Sequence, residues 1–555
     1  MHQDLWWRAR GVRVGDVFPG FQHLAVTLDR LDVPVALRSV RHVVFFPCLS
    51  TRTSVVNEYR LDRFHNLASV LLAIGSPALA GYSLAITRLN SRWLSHQFAN
   101  LKFPNKVDLP QAVSALQHIP FKMNVSGPPL PSLIVLHEND KYWESLAEAA
   151  KRTRQWSIPT IMNIVWVLVA FIFTIVGSLI DFDAFIAIPG DAGYPVVAVW
   201  AYLLPLVVGW LHVGSQLEAG QLDRALNDAN CTAFVAATGP VPAPAVKNAI
   251  EFSTEYIDHA NADEKKTAPI FNYARVFIWS QHAEYIFTLY QYAARNAKEK
   301  FPVRPGEVWT SGKDDRIGNA EEVVRYCTKE LEDTDNSNPS SLPFTALCIR
   351  RSSSKTLAPL SDTEATKAEA FVTPVFATEV FQRIFFAVIL AHDLQWGTTG
   401  AAILIHIFTP PKGIGCRALT FILYGAAGTL TLWLLLLSSI LGHWSRQTDK
   451  HPRSTAKLLI AYTAALARWL GKFIAIVNGF CILISCCMQF AGAYDNCFCS
   501  STILGGDPDG LVKFLGPDVK GSQVYGYWIG GVTLSFGVSA LYAFLIYVAT
   551  PMSCT

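Results

Sequence analysis

The chain has 555 residues, 51% of them hydrophobic and only 16% charged, with a formal net charge of +3. A soluble domain carries about 25% charged residues, so this deficit, with a mean hydropathy of +0.27, excludes an ordinary soluble enzyme and places the chain in a bilayer. So small a net charge, with no Arg/Lys stripe interleaved with aromatics, gives no basis for a nucleic-acid partner.

The chain opens Met1-His2-Gln3-Asp4-Leu5-Trp6-Trp7-Arg8-Ala9-Arg10. No apolar run precedes these charges, so no cleavable signal is expected, and residues 1–65 read as a soluble or peripheral segment. Residues 66–92 are apolar enough to enter the membrane. They contain Gly75-Ser76-Pro77, and proline breaks the hydrogen-bond ladder of a helix. A kinked or re-entrant segment is expected there, followed by a loop over 93–158. A bilayer core about 30 Å thick needs roughly 20 apolar residues per helix. Residues 160–180 and 195–214 meet that test and form a hairpin over 159–214. Its loop carries Asp181, Asp183 and Asp191 and neither Lys nor Arg.

Residues 215–380 form a long cytoplasmic segment of mainly helical character. Phe271, Ile278, Tyr285, Phe287 and Tyr290 recur at helical spacing and predict an amphipathic helix over 271–301. Asn319-Ala320-Glu321-Glu322 opens a second helix, with acids in its first turn as the dipole prefers. Residues 334–365 are rich in Ser, Asn, Pro and Thr and read as linker. Residues 381–549 predict a four-span bundle: 384–409, 417–442, 472–490 after an interfacial lead-in from 457 that carries Arg468 and Lys472, and 525–549. The fold class is therefore all-α, a polytopic transmembrane bundle of six firm spans and an open seventh at 66–87. Basic loops stay inside, so 215–380, the loop 443–456 with Arg446, Lys450 and Arg453, and the C-terminus are cytoplasmic, and 491–524 is outside. The sequons Asn124-Val125-Ser126 and Asn230-Cys231-Thr232 then face the cytosol unused. The endoplasmic reticulum or the plasma membrane is the expected compartment, and the oligomeric state is open.

Ionisable groups inside spans are expensive and mark function by default. The span from 384 holds His392 and Asp393 near its middle. His392 and Trp396 stand one turn apart, and His406 lies roughly 40° round the helix and about 21 Å further along. This polar stripe is expected to face the bundle interior or a cavity. A buried carboxylic acid retains a proton that can be transferred, so Asp393 is a candidate catalytic acid with His392 assisting. Trp396, Gln395 and His406 are candidate substrate contacts, since aromatic faces stabilise cations. Packing between helices, and a proton path through His392, Asp393 and His406, are the alternatives. No inverted repeat of the transporter kind is visible.

Of the eleven cysteines, Cys481, Cys486 and Cys487 read as small hydrophobes in a span. Cys497 and Cys499, beside Asp495 and Asn496 in the outer loop, form a disulfide if that side is oxidising. There is no DDxxD pair, P-loop, HExxH or GxSxG motif, so no metal and no cofactor is expected.

Leu394-Gln395-Trp396-Gly397-Thr398-Thr399-Gly400-Ala401-Ala402, followed by Phe408-Thr409-Pro410-Pro411-Lys412-Gly413-Ile414-Gly415-Cys416-Arg417, resembles a largely uncharacterised family of fungal multi-pass membrane proteins. Gly75-Ser76-Pro77-Ala78-Leu79-Ala80-Gly81-Tyr82-Ser83-Leu84 and Tyr494-Asp495-Asn496-Cys497-Phe498-Cys499 fit the same resemblance. It implies a helical membrane fold and no known catalytic motif. Members are generally apolar just before the Leu-Gln-Trp, where this chain has His392-Asp393. By analogy with fungal polytopic cyclases, the expected function is a terpene or meroterpenoid cyclase that protonates a prenyl alkene or epoxide of a lipophilic substrate. A transporter and a non-catalytic scaffold are the other readings.

Overall fold

The computed structural model describes residues 59–125, 127–152, 193–213, 219–237, 243–244, 249–252, 263–264, 266, 268–310, 314–328, 377–409, 413–447, 455–490, 494 and 521–547. Helices take up 83% of the interpretable part. In chain order they are α1 (Tyr59–Gly75), α2 (Pro77–Ala99), α3 (Asp108–Leu116), α4 (Pro129–Val135), α5 (Asp140–Arg152), α6 (Gly193–Trp200), α7 (Leu203–Val213), α8 (Ala219–Thr232), α9 (Asn272–Lys298), α10 (Ala320–Thr328), α11 (Ala377–Phe408), α12 (Cys416–Gln447), α13 (Thr455–Phe490) and α14 (Gly521–Tyr547). Four short strands, β1 (Phe121–Met123), β2 (Phe234–Val235), β3 (Ala243–Pro244) and β4 (Ile250–Phe252), form two antiparallel pairs, β1 with β4 and β2 with β3.

Three helices are long and apolar enough to cross a membrane: Cys416–Ser445 in α12, Leu458–Gln489 in α13 and Gly526–Tyr547 in α14. α11 is as long as α12 but does not join them, because His392, Asp393 and Gln395 dilute its apolar middle. The stretch 195–214 is two short helices, α6 and α7, rather than one span. The stretch 160–180 lies outside the described residues.

The apolar residues sort into two bodies. One core packs Trp143, Leu146, Leu226, Ile250, Trp279, Tyr290 and Tyr326, drawn from α5, α8, β4, α9 and α10. It also takes Leu109, Val113 and Leu116 of α3, Met123 of β1 and Leu133 of α4. The stretch expected to be a loop, 93–158, is thus for its described part half of a folded unit, and the other half comes from 219–328. Sequence separation hid this: α3 and α4 have no partner until α9 arrives some 150 residues later. Trp279 donates its indole N–H to the carbonyl of Val113 at 2.9 Å, and Tyr285 its hydroxyl to that of Val125 at 3.0 Å. Arg316 clamps α5 through Asp140 at 2.6 and 2.7 Å and the carbonyl of Val135 at 2.9 Å. Asn230 is buried, held by Tyr142 and the Ile250 carbonyl, so its sequon is closed to modification in the folded chain.

The second body is the helical bundle, with Leu72, Tyr82, Tyr202, Leu394, Leu435 and Tyr542 in one cluster and Ile74, Ala402, Phe421 and Ile482 in another. Two helices join the bodies. α2 begins in the bundle at Ala78 and Tyr82 and ends in the soluble core at Leu94 and Phe98. α9 does the same from Tyr273 and Phe277 to Trp279 and Tyr290. The predicted amphipathic helix therefore packs on the bundle with its first turns only. α10 is capped as its sequence implies: Asn319 Oδ1 accepts from Glu322 N–H at 2.9 Å, and Glu322 Oε2 accepts from Asn319 N–H at 2.7 Å.

Candidate functional site

The first feature of the bundle is the break between α1 and α2. The axes of Leu67–Gly75 and Pro77–Ala99 diverge by 101°, with the break at Gly75-Ser76-Pro77. Pro77 lacks an N–H and starts α2 without one. Gly75 is there because α13 presses against it: a Cβ at Gly75 would stand 1.8 Å from the Ala475 carbonyl oxygen, and one at Gly479 would stand 2.9 Å from that of Leu71. Small residues let two backbones approach this closely.

A break inside an apolar bundle exposes backbone groups that water cannot reach, and each must find a partner. Every partner here is identifiable. The Ile74 carbonyl accepts from Tyr424 Oη at 2.6 Å, and the Gly75 carbonyl from Asn478 Nδ2 at 2.7 Å. Ala78 N–H donates to Gln395 Oε1 at 2.9 Å, Leu79 N–H to Ser76 Oγ at 3.2 Å, and Ala80 N–H to the Ser76 carbonyl at 3.2 Å. Ser76 Oγ in turn donates to the Gly428 carbonyl at 2.8 Å. The break is sealed by α11, α12 and α13 together and leaves none of these groups for a ligand.

Gln395 is therefore occupied. Besides capping α2, its amide donates to the Gly425 carbonyl at 2.6 Å and to Thr429 Oγ1 at 3.0 Å, and it is fully buried. It is a fastener of the bundle rather than an open substrate contact. Gly428 makes room for it, since a Cβ there would lie 2.7 Å from Gln395 Oε1. The sequence reading missed Ser76, Tyr424, Thr429 and Asn478. The signal was present in the Gly-Ser-Pro break, which demands side-chain partners, and in the few polar residues at mid-helix that can supply them.

The remaining candidates divide between the two faces of α11. His406 is 9% exposed and stacks on Phe421, with centroids 5.3 Å apart. Its Nε2 has no hydrogen-bond partner. Asp393 is exposed, which differs from the buried acid expected. It continues the outward stripe of Phe385, Phe386, Ile389, Trp396 and Leu404. The physical reason is the helical period. Leu394, Gln395, Thr398 and Thr399 take the inward side, and Asp393 falls opposite them. No hydrogen bond or ion pair to the Asp393 carboxylate occurs among the described residues. Half-buried His392 is held by a 2.8 Å contact from Nδ1 to the Val388 carbonyl and faces Trp433 at 5.8 Å. Trp396 donates its indole N–H to Thr429 Oγ1 at 3.0 Å. His392, Asp393, Trp396 and Trp433 thus form one outward group at the α11–α12 seam.

Among the described residues no group of three or more His, Cys, Asp or Glu is placed to hold a metal ion. Cys481, Cys486 and Cys487 are free thiols, and Cys416 is disulfide-bonded. Cys497 and Cys499 lie outside the described residues. No family model, curated protein or solved structure matches the chain.

Proposed function

We propose that this chain is a multi-pass membrane protein that receives a lipophilic substrate from the surrounding lipid on the outward face of α11. There Asp393 donates the proton that starts an isomerising cyclisation. The observation that supports this reading is the position of Asp393, an ionisable side chain on an otherwise apolar outward stripe. Such a residue is costly at membrane depth and is retained for a use. The proton adds to the terminal carbon of a prenyl alkene, or to an epoxide oxygen, and the cation passes along the prenyl chain as rings close. Loss of a proton ends the cascade and the carboxyl regains one, so the product is an isomer of the substrate. Trp396 and Trp433 present π faces to the cation, and His392 orients or reloads the acid. His406, about 21 Å along the helix and on the buried side, takes no part, which weakens the proton-relay reading.

The proposed topology follows from the two bodies. A packed core cannot straddle a bilayer, so residues 94–152 and 219–328 share one side. Ser439 near the end of α12 bonds Tyr273, Lys472 bonds Asp263, and Arg88 bonds the Ile546 carbonyl near the end of α14, which brings those ends to the same side. The basic loop 443–456 makes that side cytoplasmic, and disulfide-bonded Cys416 suits an oxidising opposite side.

A scaffold is the second reading, favoured by the sealed break, with the Asp393 stripe as a seat for another helix. Microsomes carrying the full chain, given prenylated phenols and their terminal epoxides, separate the two. A cyclase yields a product of unchanged mass from wild type and loses about 100-fold or more of the rate in Asp393→Asn at equal expression. Equal rates in the two proteins, or no product from wild type across the series, would leave the scaffold.

A further inference from the structure

Where the soluble unit meets the bundle, the stretch 263–274, α12 and α13 enclose a cleft of about 200 Å³. Asp263, Glu264, Tyr273, Ser438, Ser439 and Arg468 line it. Its charge is unbalanced. Lys266, Arg275, Arg468 and Lys472 bring four cations within electrostatic reach of two acids, Asp263 and Glu264, an excess of two.

The groups with settled partners are identifiable. Asp263 is 1% exposed and accepts from the Tyr273 hydroxyl and from Lys472 Nζ, the latter at 2.7 Å. Arg275 is buried, and it donates to the carbonyls of Gln117 and Lys266 and to Asn272 Oδ1, which fixes the shape of the stretch. Lys266 stands 4.0 Å from Asp263 and over the ring of Phe271 at 4.7 Å, with a third of its side chain exposed. Burial pushes its pKa down. Asp263 pulls it back, and Lys472 and Arg468 push it down again, so the cations repel one another across the cleft. Directly beside Arg468, Trp469 and Phe473 stack at 5.5 Å, and both are more than half exposed. Leu466 and Leu470 extend that apolar surface.

We propose that this cleft binds the phosphate of an anionic phospholipid, with the headgroup against Lys266 and Arg468 and the acyl chains on the Trp469–Phe473 face. A phosphate supplies the missing counter-charge and strong charge-assisted hydrogen bonds. Basic clefts between membrane helices on the side of a soluble unit recognise such headgroups. A free phosphate satisfies the cations but leaves the aromatic face bare, so the lipid uses both halves of the site. The inference is independent of the chemistry at Asp393.

The test uses the full chain in nanodiscs of phosphatidylcholine with and without phosphatidic acid, scored by lipids retained in native mass spectrometry and by thermal unfolding. Wild type is expected to retain phosphatidic acid preferentially and to unfold at higher temperature with it. Lys266→Gln and Arg468→Gln each lose about fivefold of that preference, Arg468→Lys keeps it, and the distant surface variant Arg295→Gln leaves it unchanged. Unaltered preference in the Lys266→Gln/Arg468→Gln double variant overturns the site. Stabilisation by inorganic phosphate equal to that by phosphatidic acid overturns the lipid in favour of a free anion.

Discussion

Replacing Gln395 with methionine keeps the length and volume of the side chain and removes its polar atoms. In the folded chain the amide makes three bonds, to Ala78 N–H, the Gly425 carbonyl and Thr429 Oγ1. Hydrogen bonds between membrane helices average about 0.6 kcal/mol each, which gives about 2 kcal/mol for the three. The Ala78 N–H is the larger concern. It is the first donor of α2, it is buried, and no other acceptor is placed for it, and an unsatisfied buried donor costs about 1–3 kcal/mol. Both routes predict a loss of about 2–3 kcal/mol. Equilibrium unfolding in mixed micelles at increasing detergent denaturant measures it. Ser76→Ala is the companion variant: it removes the bond to Leu79 N–H and the donation to the Gly428 carbonyl, and it lowers the same transition. If Gln395→Met unfolds within about 0.5 kcal/mol of wild type, the size of a surface substitution, then the break is not held by this side chain and its role as a fastener is wrong.

Two further outcomes follow from particular contacts. Gly75→Ala places a methyl group 1.8 Å from the Ala475 carbonyl oxygen, a backbone atom that cannot rotate away. It is expected to separate α1 from α13 and to abolish a folded, monodisperse peak in detergent, whereas Gly428→Ala, which meets only the flexible Gln395 side chain, gives a folded protein of reduced stability. In the soluble unit, burial raises the pKa of Glu284, and neighbouring Glu379 raises it further against the opposing pull of Arg383. A carboxyl that holds its proton more tightly folded than unfolded costs stability once the pH passes the ordinary glutamate range, and costs nothing below it. Glu284→Gln should therefore unfold at a higher temperature than wild type at pH 8 and at the same temperature at pH 4. A variant less stable at pH 8 would mean that the Glu284 charge is paired after all.

The sequence by itself determined the class and several local facts. Low charge and long apolar runs place α12, α13 and α14 as membrane-crossing lengths, since a bilayer counts residues and their hydropathy and little else. Gly75-Ser76-Pro77 announces a break whatever surrounds it, because proline and glycine act on their own backbone. Asn319 and Glu322 cap α10 from within four residues. Tertiary structure decided what depends on partners far along the chain. The stretch from 93 looked like a loop because its core is completed only by α8, α9 and α10. Gln395 looked like a substrate contact because the donor it caps, Ala78 N–H, lies 317 residues earlier. Asp393 looked buried because polarity in a span suggests the interior. The direction a residue faces depends on which side of its helix the neighbours occupy, and α11 packs with Leu394, Gln395, Thr398 and Thr399 inward, leaving Asp393 outside. A local pattern fixes a helix and its ends; its rotation, and so the surroundings of each side chain, is fixed only when the other helices are in place.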